Sequence, residues 1–174
     1  MDGMAFTREN EGVRNRVYLD TLGKHTVGVG FNMDAVGAEA YFSKVLPGVD
    51  FDFIYTGIES LRDDQIGTLY AACYRDAMEA AFRQVLNLRH LPGEVQCVVA
   101  DMVFNLGERG FAKFAKTRAA LELGDRSTAA VQMEQSAWHS QVPNRAKLCV
   151  AIMRPAGERN GEELRLAQKW TGAA

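Results

Sequence analysis

The chain has 174 residues, 47% of them hydrophobic and 24% charged, enough apolar material for one domain or two small lobes sharing a core, and too much for a disordered chain. Its formal charge of −2 is uneven: residues 1–104 carry 9 Lys/Arg against 15 Asp/Glu, and residues 105–174 carry 11 against 7. That split reads either as solvated faces or as a basic half suited to an anionic polymer such as a cell wall, and without basic runs interleaved with aromatics no nucleic-acid strip is expected.

The N-terminal run Met1-Asp2-Gly3-Met4-Ala5-Phe6 lacks the basic start and apolar stretch of a signal peptide, and no apolar run approaches the length of a membrane span. Synthesis in a cytoplasm is expected, with no membrane insertion. Cys73, Cys97 and Cys149 are widely spaced and form no CxxC pair, so they read as reduced core thiols. His25, His90 and His139 are isolated, and neither a metal nor another cofactor is expected.

In chain order, residues 4–11 fit a short helix stopped by Gly12. Tyr18-Leu19-Asp20 and the run Thr26 to Phe31 read as strands around the turn Thr21-Leu22-Gly23-Lys24. Gly28 and Gly30 are not a phosphate loop, since neither a third glycine with its helix nor a lysine follows; inside a strand they mark close approach of a ligand or backbone. Pro47-Gly48 ends a further short helix. Ser60-Leu61-Arg62-Asp63 offers a capping box for a long helix towards Leu86, with Leu69, Ala72, Cys73, Ala77, Ala80, Ala81 and Val85 on its buried face. Beyond Pro92-Gly93 all is helical: Glu94–Leu106 to a stop at Gly107, Lys116–Leu123 to a stop at Gly124, Thr128–Trp138, and a helix from Pro143 to about Met153. The expected class is α+β, with a small hairpin-containing N-terminal lobe (12–59), a connecting helix (60–86) and a helical C-terminal lobe (87–174) on which residues 1–11 pack.

Three residues in this frame carry chemistry. Glu11 closes the first helix, Asp20 ends the first strand and Thr26 opens the second. A carboxyl that protonates a leaving oxygen, and a carboxylate with a hydroxyl that hold a water, are the division of labour of glycoside hydrolysis. Each residue also has an ordinary reading. Glu11 could be a surface residue at a helix end, Asp20 a turn initiator, and Thr26 a strand former. Phe104 and Trp138 could equally be core aromatics, and Arg145 a solvated helix residue.

Ordered blocks of sequence resemble the phage-type lysozymes, the endolysin family of the bacteriophage T4 lysozyme kind (glycoside hydrolase family 24). They are Glu11-Gly12 through Tyr18-Leu19-Asp20-Thr21 with Gly23 and Thr26-Val27-Gly28-Val29-Gly30, then Met102-Val103-Phe104-Asn105-Leu106-Gly107-Glu108 with Gly110 and Phe114, then Trp138 and Pro143-Asn144-Arg145-Ala146-Lys147. Residues 35–95 match in pattern only, and the last dozen residues look like an extension.

The resemblance implies a two-lobed lysozyme-like fold that cuts the β-1,4 bond between N-acetylmuramic acid and N-acetylglucosamine in bacterial peptidoglycan. By the same resemblance Glu11 is the general acid, Asp20 the second carboxylate and Thr26 the water-holding hydroxyl. Arg145 matches the arginine that pairs with the catalytic glutamate, and Gly30, Asn32, Phe104, Thr117 and Gln132 are saccharide contacts. It further implies inversion at the anomeric carbon and a monomer that reaches the periplasmic wall after release by a factor such as a holin. Phe31 and Asn32 stand where the family's best-known member has histidine and leucine, and Asn10 replaces an aspartate beside the acid. A lytic transglycosylase and a wall-binding module without turnover are the alternatives.

Overall fold

The computed structural model describes residues 1–172. Helices dominate, and among the described residues the strands form one three-stranded antiparallel sheet, so the class is α+β. Two compact units divide the chain: Arg8–Arg75, and Met1–Thr7 with the chain from Asp76 onward. The division falls inside two helices.

Helix α1 runs over Gly3–Glu11 and stops where Gly12 takes φ 73°, a left-handed value that costs glycine little. The sheet follows as β1 (Arg14–Leu19), β2 (His25–Gly28) and β3 (Phe31–Asn32) in the order β1-β2-β3. Tyr18 pairs with Thr26 and Leu19 with His25, while the register shifts between Arg14 and Tyr18. The expected single strand from Thr26 to Phe31 is in fact two strands. Val27 pairs with Phe31 across a tight turn in which Gly28 and Gly30 adopt φ 68° and 72°. Those glycines therefore answer to the turn itself. A Cβ on Gly28 would meet only the Ile66 side chain, at an ordinary 3.8 Å.

Helices α2 (Ala38–Val45) and α3 (Phe51–Tyr55) complete the first unit together with the start of α4 (Asp63–Gln84). The Asp50 carboxylate caps α3 by accepting from the Phe53 N–H. A chain of aromatic contacts, Phe31 to Phe42 at 6.0 Å, Phe42 to Phe51 at 5.4 Å and Phe51 to Tyr55 at 5.9 Å, ties sheet and helices together. The α4 start differs from expectation: Gln65 Oε1 accepts from the Arg62 N–H and the helix opens at Asp63, so the capping position is Arg62, two residues after the proposed Ser60.

The second unit is all helical among its described residues: α5 (Gly93–Ala112), α6 (Ala115–Glu122), α7 (Arg126–Glu134), α8 (Ala137–Gln141), α9 (Pro143–Met153) and α10 (Gly161–Thr171). Its core draws on Val98, Val99 and Met102 of α5, Leu121 of α6, Met133 of α7 and Ile152 and Met153 of α9. Phe6 of α1 joins that core, with its ring edge-on to Trp170 at 5.1 Å. The expected stop at Gly107 is present: its φ 70° and ψ 163° are non-helical, so α5 is two helical segments broken there. Two boundaries correct the sequence reading. The stretch Thr128–Trp138 is two helices, because the Ser136 side chain accepts from the His139 N–H and starts α8 afresh. The C-terminal residues form α10, which contributes Ala167 to the core. No described helix is long and apolar enough to cross a membrane.

Candidate active site

Glu11, Asp20, Thr26, Gly30 and Asn32 lie in the unit Arg8–Arg75, whereas Phe104, Thr117, Gln132 and Arg145 lie in the helical unit.

Glu11 is half-buried at the C-terminal end of α1. Asp20 follows β1 and organises the hairpin turn. Its Oδ1 accepts from the N–H groups of Leu22 (2.8 Å) and Lys24 (2.9 Å), and its own N–H donates to the Lys24 carbonyl. Thr26 is buried in β2, opposite Tyr18 and Asn32, and its hydroxyl donates to the Lys24 carbonyl at 3.2 Å. Lys24 thus links the two: its N–H holds the Asp20 carboxylate, and its carbonyl takes the Thr26 proton. Oδ1 of Asp20 and the Thr26 hydrogen are committed to the turn. Oδ2 of Asp20 and the Thr26 lone pairs are the acceptors that remain.

Sequence reasoning did not single out Tyr18, yet it stands in the field of both carboxylates. Burial first, then Glu11 and to a lesser degree Asp20, push its phenol above the ordinary value, with Arg14 opposing them. The Arg14 guanidinium sits 5.0 Å from the Tyr18 ring centre. The available signal was register, since Tyr18 is two residues before Asp20 and pairs with Thr26.

Gly30 supplies the turn between β2 and β3. Asn32 is exposed, and its Oδ1 accepts from the Asp34 N–H at 2.9 Å. Asp34 is itself a hub that residue type and spacing do not single out. Its Oδ2 accepts from the His25 N–H at 2.8 Å, its Oδ1 accepts from the Tyr55 hydroxyl at 2.8 Å, and His25 Nδ1 lies 3.2 Å away.

In the helical unit, Thr117 and Gln132 line one pocket of about 750 Å³ with Lys113, Phe114, Lys116 and Trp138. A lining that combines amides, hydroxyls, two lysines and aromatic side chains suits a polar, partly anionic ligand. Trp138 is buried, with its indole N–H donating to Asn105 Oδ1 at 2.9 Å. Phe104 is half-buried against the core and is not among the residues lining that pocket. Arg145 is buried, and its Nε and Nη2 donate to the two oxygens of Asp101, each at 2.8 Å. Asp101 was missed in sequence, although an aspartate inside the apolar run Val98-Val99-Ala100-Asp101-Met102-Val103 signals a buried charge needing a partner.

The three cysteines are free, and among the described residues no group of three or more His, Cys, Asp or Glu is arranged to hold a metal ion. An α+β fold with a short antiparallel hairpin sheet ahead of a long helix and a helical C-terminal unit is lysozyme-like in class. No family model matches the chain, but over 151 residues it is 22% identical to a protein of Dictyostelium discoideum described as probable T4-type lysozyme 2. The similarity spans 82% of this chain and 88% of that protein, and it supports the lysozyme-like reading of the fold.

Proposed function

We propose that the chain is a muramidase that hydrolyses the β-1,4 bond between N-acetylmuramic acid and N-acetylglucosamine in peptidoglycan. Similarity to a protein described as a probable T4-type lysozyme supports a peptidoglycan-hydrolysing enzyme. The observation that carries the finer reading is the Asp20–Lys24–Thr26 linkage on one turn. A water there would give one hydrogen bond to Asp20 Oδ2 and the other to Thr26 Oγ1, because both are acceptors. Its lone pair is then directed outward at an anomeric carbon.

In this mechanism Glu11, protonated when substrate binds, gives its proton to the glycosidic oxygen as the C1–O4 bond breaks. The water oxygen bonds to C1 from the opposite face, and Asp20 takes the proton it releases. The configuration inverts, with no covalent sugar on the protein. Within the helical unit, Thr117 and Gln132 would hold part of the glycan or its peptide. The substrate lies outside the membrane, and in this reading a separate release factor would bring the protein to it.

Wild type and Glu11→Gln are compared on purified peptidoglycan, with products read by mass spectrometry and early proton NMR. Glutamine keeps the shape but brings no acidic proton, so cleavage should fall about 10²–10⁴-fold while circular dichroism is unchanged. Wild-type products should carry an added water and appear first as the α-anomer. Anhydro-sugar products would indicate a transglycosylase, and wall binding without new reducing ends would indicate a module without turnover. A fully active Glu11→Gln would remove Glu11 as the acid.

A further inference from the structure

Outside the residues assigned above, the densest polar cluster of the sheet unit joins His25, Asp34 and Tyr55. Asp34 lies beyond β3, His25 begins β2, and Tyr55 ends α3. The Asp34 carboxylate holds the main chain of His25 through Oδ2, at 2.8 Å from the His25 N–H. The neighbouring Met33 N–H donates to the His25 carbonyl at 2.8 Å, so both main-chain groups of His25 are clamped from the same short segment. Tyr55 closes the cluster. Its hydroxyl donates to Asp34 Oδ1 at 2.8 Å and lies 3.0 Å from His25 Nδ1, with the two rings tilted at 4.4 Å between centres.

The hydrogen bonds also assign a proton. Tyr55 has one hydrogen, and the ionised carboxylate takes it. The lone pairs of the Tyr55 oxygen and the second side of the carboxylate then face Nδ1 from 3.0 to 3.3 Å. A bare nitrogen there would meet only acceptors, so Nδ1 carries hydrogen and donates.

Asp34 reaches the assigned residues from both sides. Its N–H is fixed by Asn32 Oδ1 at 2.9 Å, and Asn32 pairs with Thr26 across β2 and β3. Its carboxylate fixes His25, the residue before Thr26, and Thr26 leads through Lys24 to Asp20. We propose that Asp34, with His25 and Tyr55, is a positioning brace that keeps the Thr26 hydroxyl and the Asp20 carboxylate aimed at one water. The catalytic part of this inference rests on the muramidase reading; the structural part does not.

The test compares wild type, Asp34→Ala and Asp34→Asn. For each, kcat and KM on a soluble peptidoglycan fragment, the urea midpoint and amide hydrogen exchange at His25 and Thr26 are measured. A misaimed water slows chemistry without loosening the glycan, so Asp34→Ala should lower kcat roughly ten- to a hundredfold with KM within about twofold. The His25 and Thr26 amides should exchange faster, while exchange in the helical unit is unchanged. Asp34→Asn should recover much of kcat. Its carbonyl can accept the His25 N–H, and its NH2 can donate to the Tyr55 oxygen once His25 moves its ring hydrogen to Nε2 and Tyr55 turns its own to the bare Nδ1. An unchanged kcat in folded Asp34→Ala overturns the brace, as does a loss expressed in KM alone. If Asp34→Asn is as slow as Asp34→Ala, the brace is overturned as well. A wild-type protein that cleaves no glycan, with faster exchange in Asp34→Ala, supports the brace and sinks the muramidase reading alone.

Discussion

Asp101 has no exposed surface, and a carboxylate in that position survives folding because both of its oxygens meet the fork of the Arg145 guanidinium. Cys149 completes the cluster, with its thiol 3.6 Å from Asp101 Oδ2. Burial, reinforced by the neighbouring Asp101 charge, holds that thiol well above its ordinary pKa, so it stays a neutral donor. Removing either half of the ion pair strands a buried charge. Asp101→Ala and Arg145→Ala should each cost about 3–5 kcal/mol, whereas the double substitution should cost clearly less than their sum. Urea midpoints of the four proteins measure this coupling, and small additive losses would mean the pair is not structurally important.

At the scale of elements, α10 rests on a capping network. Asn160 Oδ1 accepts from the N–H groups of Glu162 and Glu163, and Glu163 Oε2 accepts in return from the Asn160 N–H. Glu163 Oε1 also holds Arg154 Nε at 2.8 Å, and the Arg154 Nη2 reaches Glu134. Asn160→Ala should therefore cost about 0.5–2 kcal/mol. Glu163→Ala should cost more, since it removes a cap and a partner of the largely buried Arg154 at once. Denaturation curves for both rank them, and the reverse order would make the ion pair secondary. Elements were legible in sequence where their ends are written locally. Gly12 and Gly124 stop helices, Pro143 starts one, and the apolar spacing from Leu69 to Ala81 gives the buried face of α4, except that Cys73 is only half-buried and Val85 lies just past the helix end. They were misread where a local cap interrupts a continuous pattern, as Ser136 does, or where strand pairing decides, as Val27 with Phe31 does. The glycines of that turn hold both meanings in one sequence, and only the pairing chooses. For the site, Glu11, Asp20 and Thr26 could be selected by residue type and resemblance. Tyr18 and Asp34 could not, since cross-strand neighbours and a tyrosine 21 residues away create their roles.

For the molecule as a whole, the shifted groups define a range of pH over which folding is favoured at both ends by related chemistry. Three aspartates lie below the ordinary carboxylate value. Asp34 is lowered first by the His25 N–H and next by the Tyr55 hydroxyl, Asp64 chiefly by the Arg62 side chain, and Asp125 by the Thr128 hydroxyl. Their folded forms favour ionisation, so their stabilisation is full above the unfolded value of about 3.8 and is lost as pH falls through the lower folded values. Tyr18 and Tyr55 are raised, Tyr18 first by burial and Tyr55 first by its bond to Asp34. For them the sign reverses: the stabilisation is present below about 10 and is lost as pH rises through the folded values. The Tyr55–Asp34 bond needs a protonated phenol and an ionised carboxylate, so one contact contributes at both ends. The urea midpoint of the wild type should hold a plateau with respect to these groups, falling below about pH 4 and above about pH 10. Tyr55→Phe should flatten the alkaline fall more than the acid one, because the His25 N–H still holds Asp34. Asp34→Asn should flatten both, since it removes the carboxylate that each limb depends on. Midpoints measured from pH 2 to pH 11 for the three proteins separate these expectations. Curves that stay parallel throughout would show that the cluster does not couple folding to protons at either end.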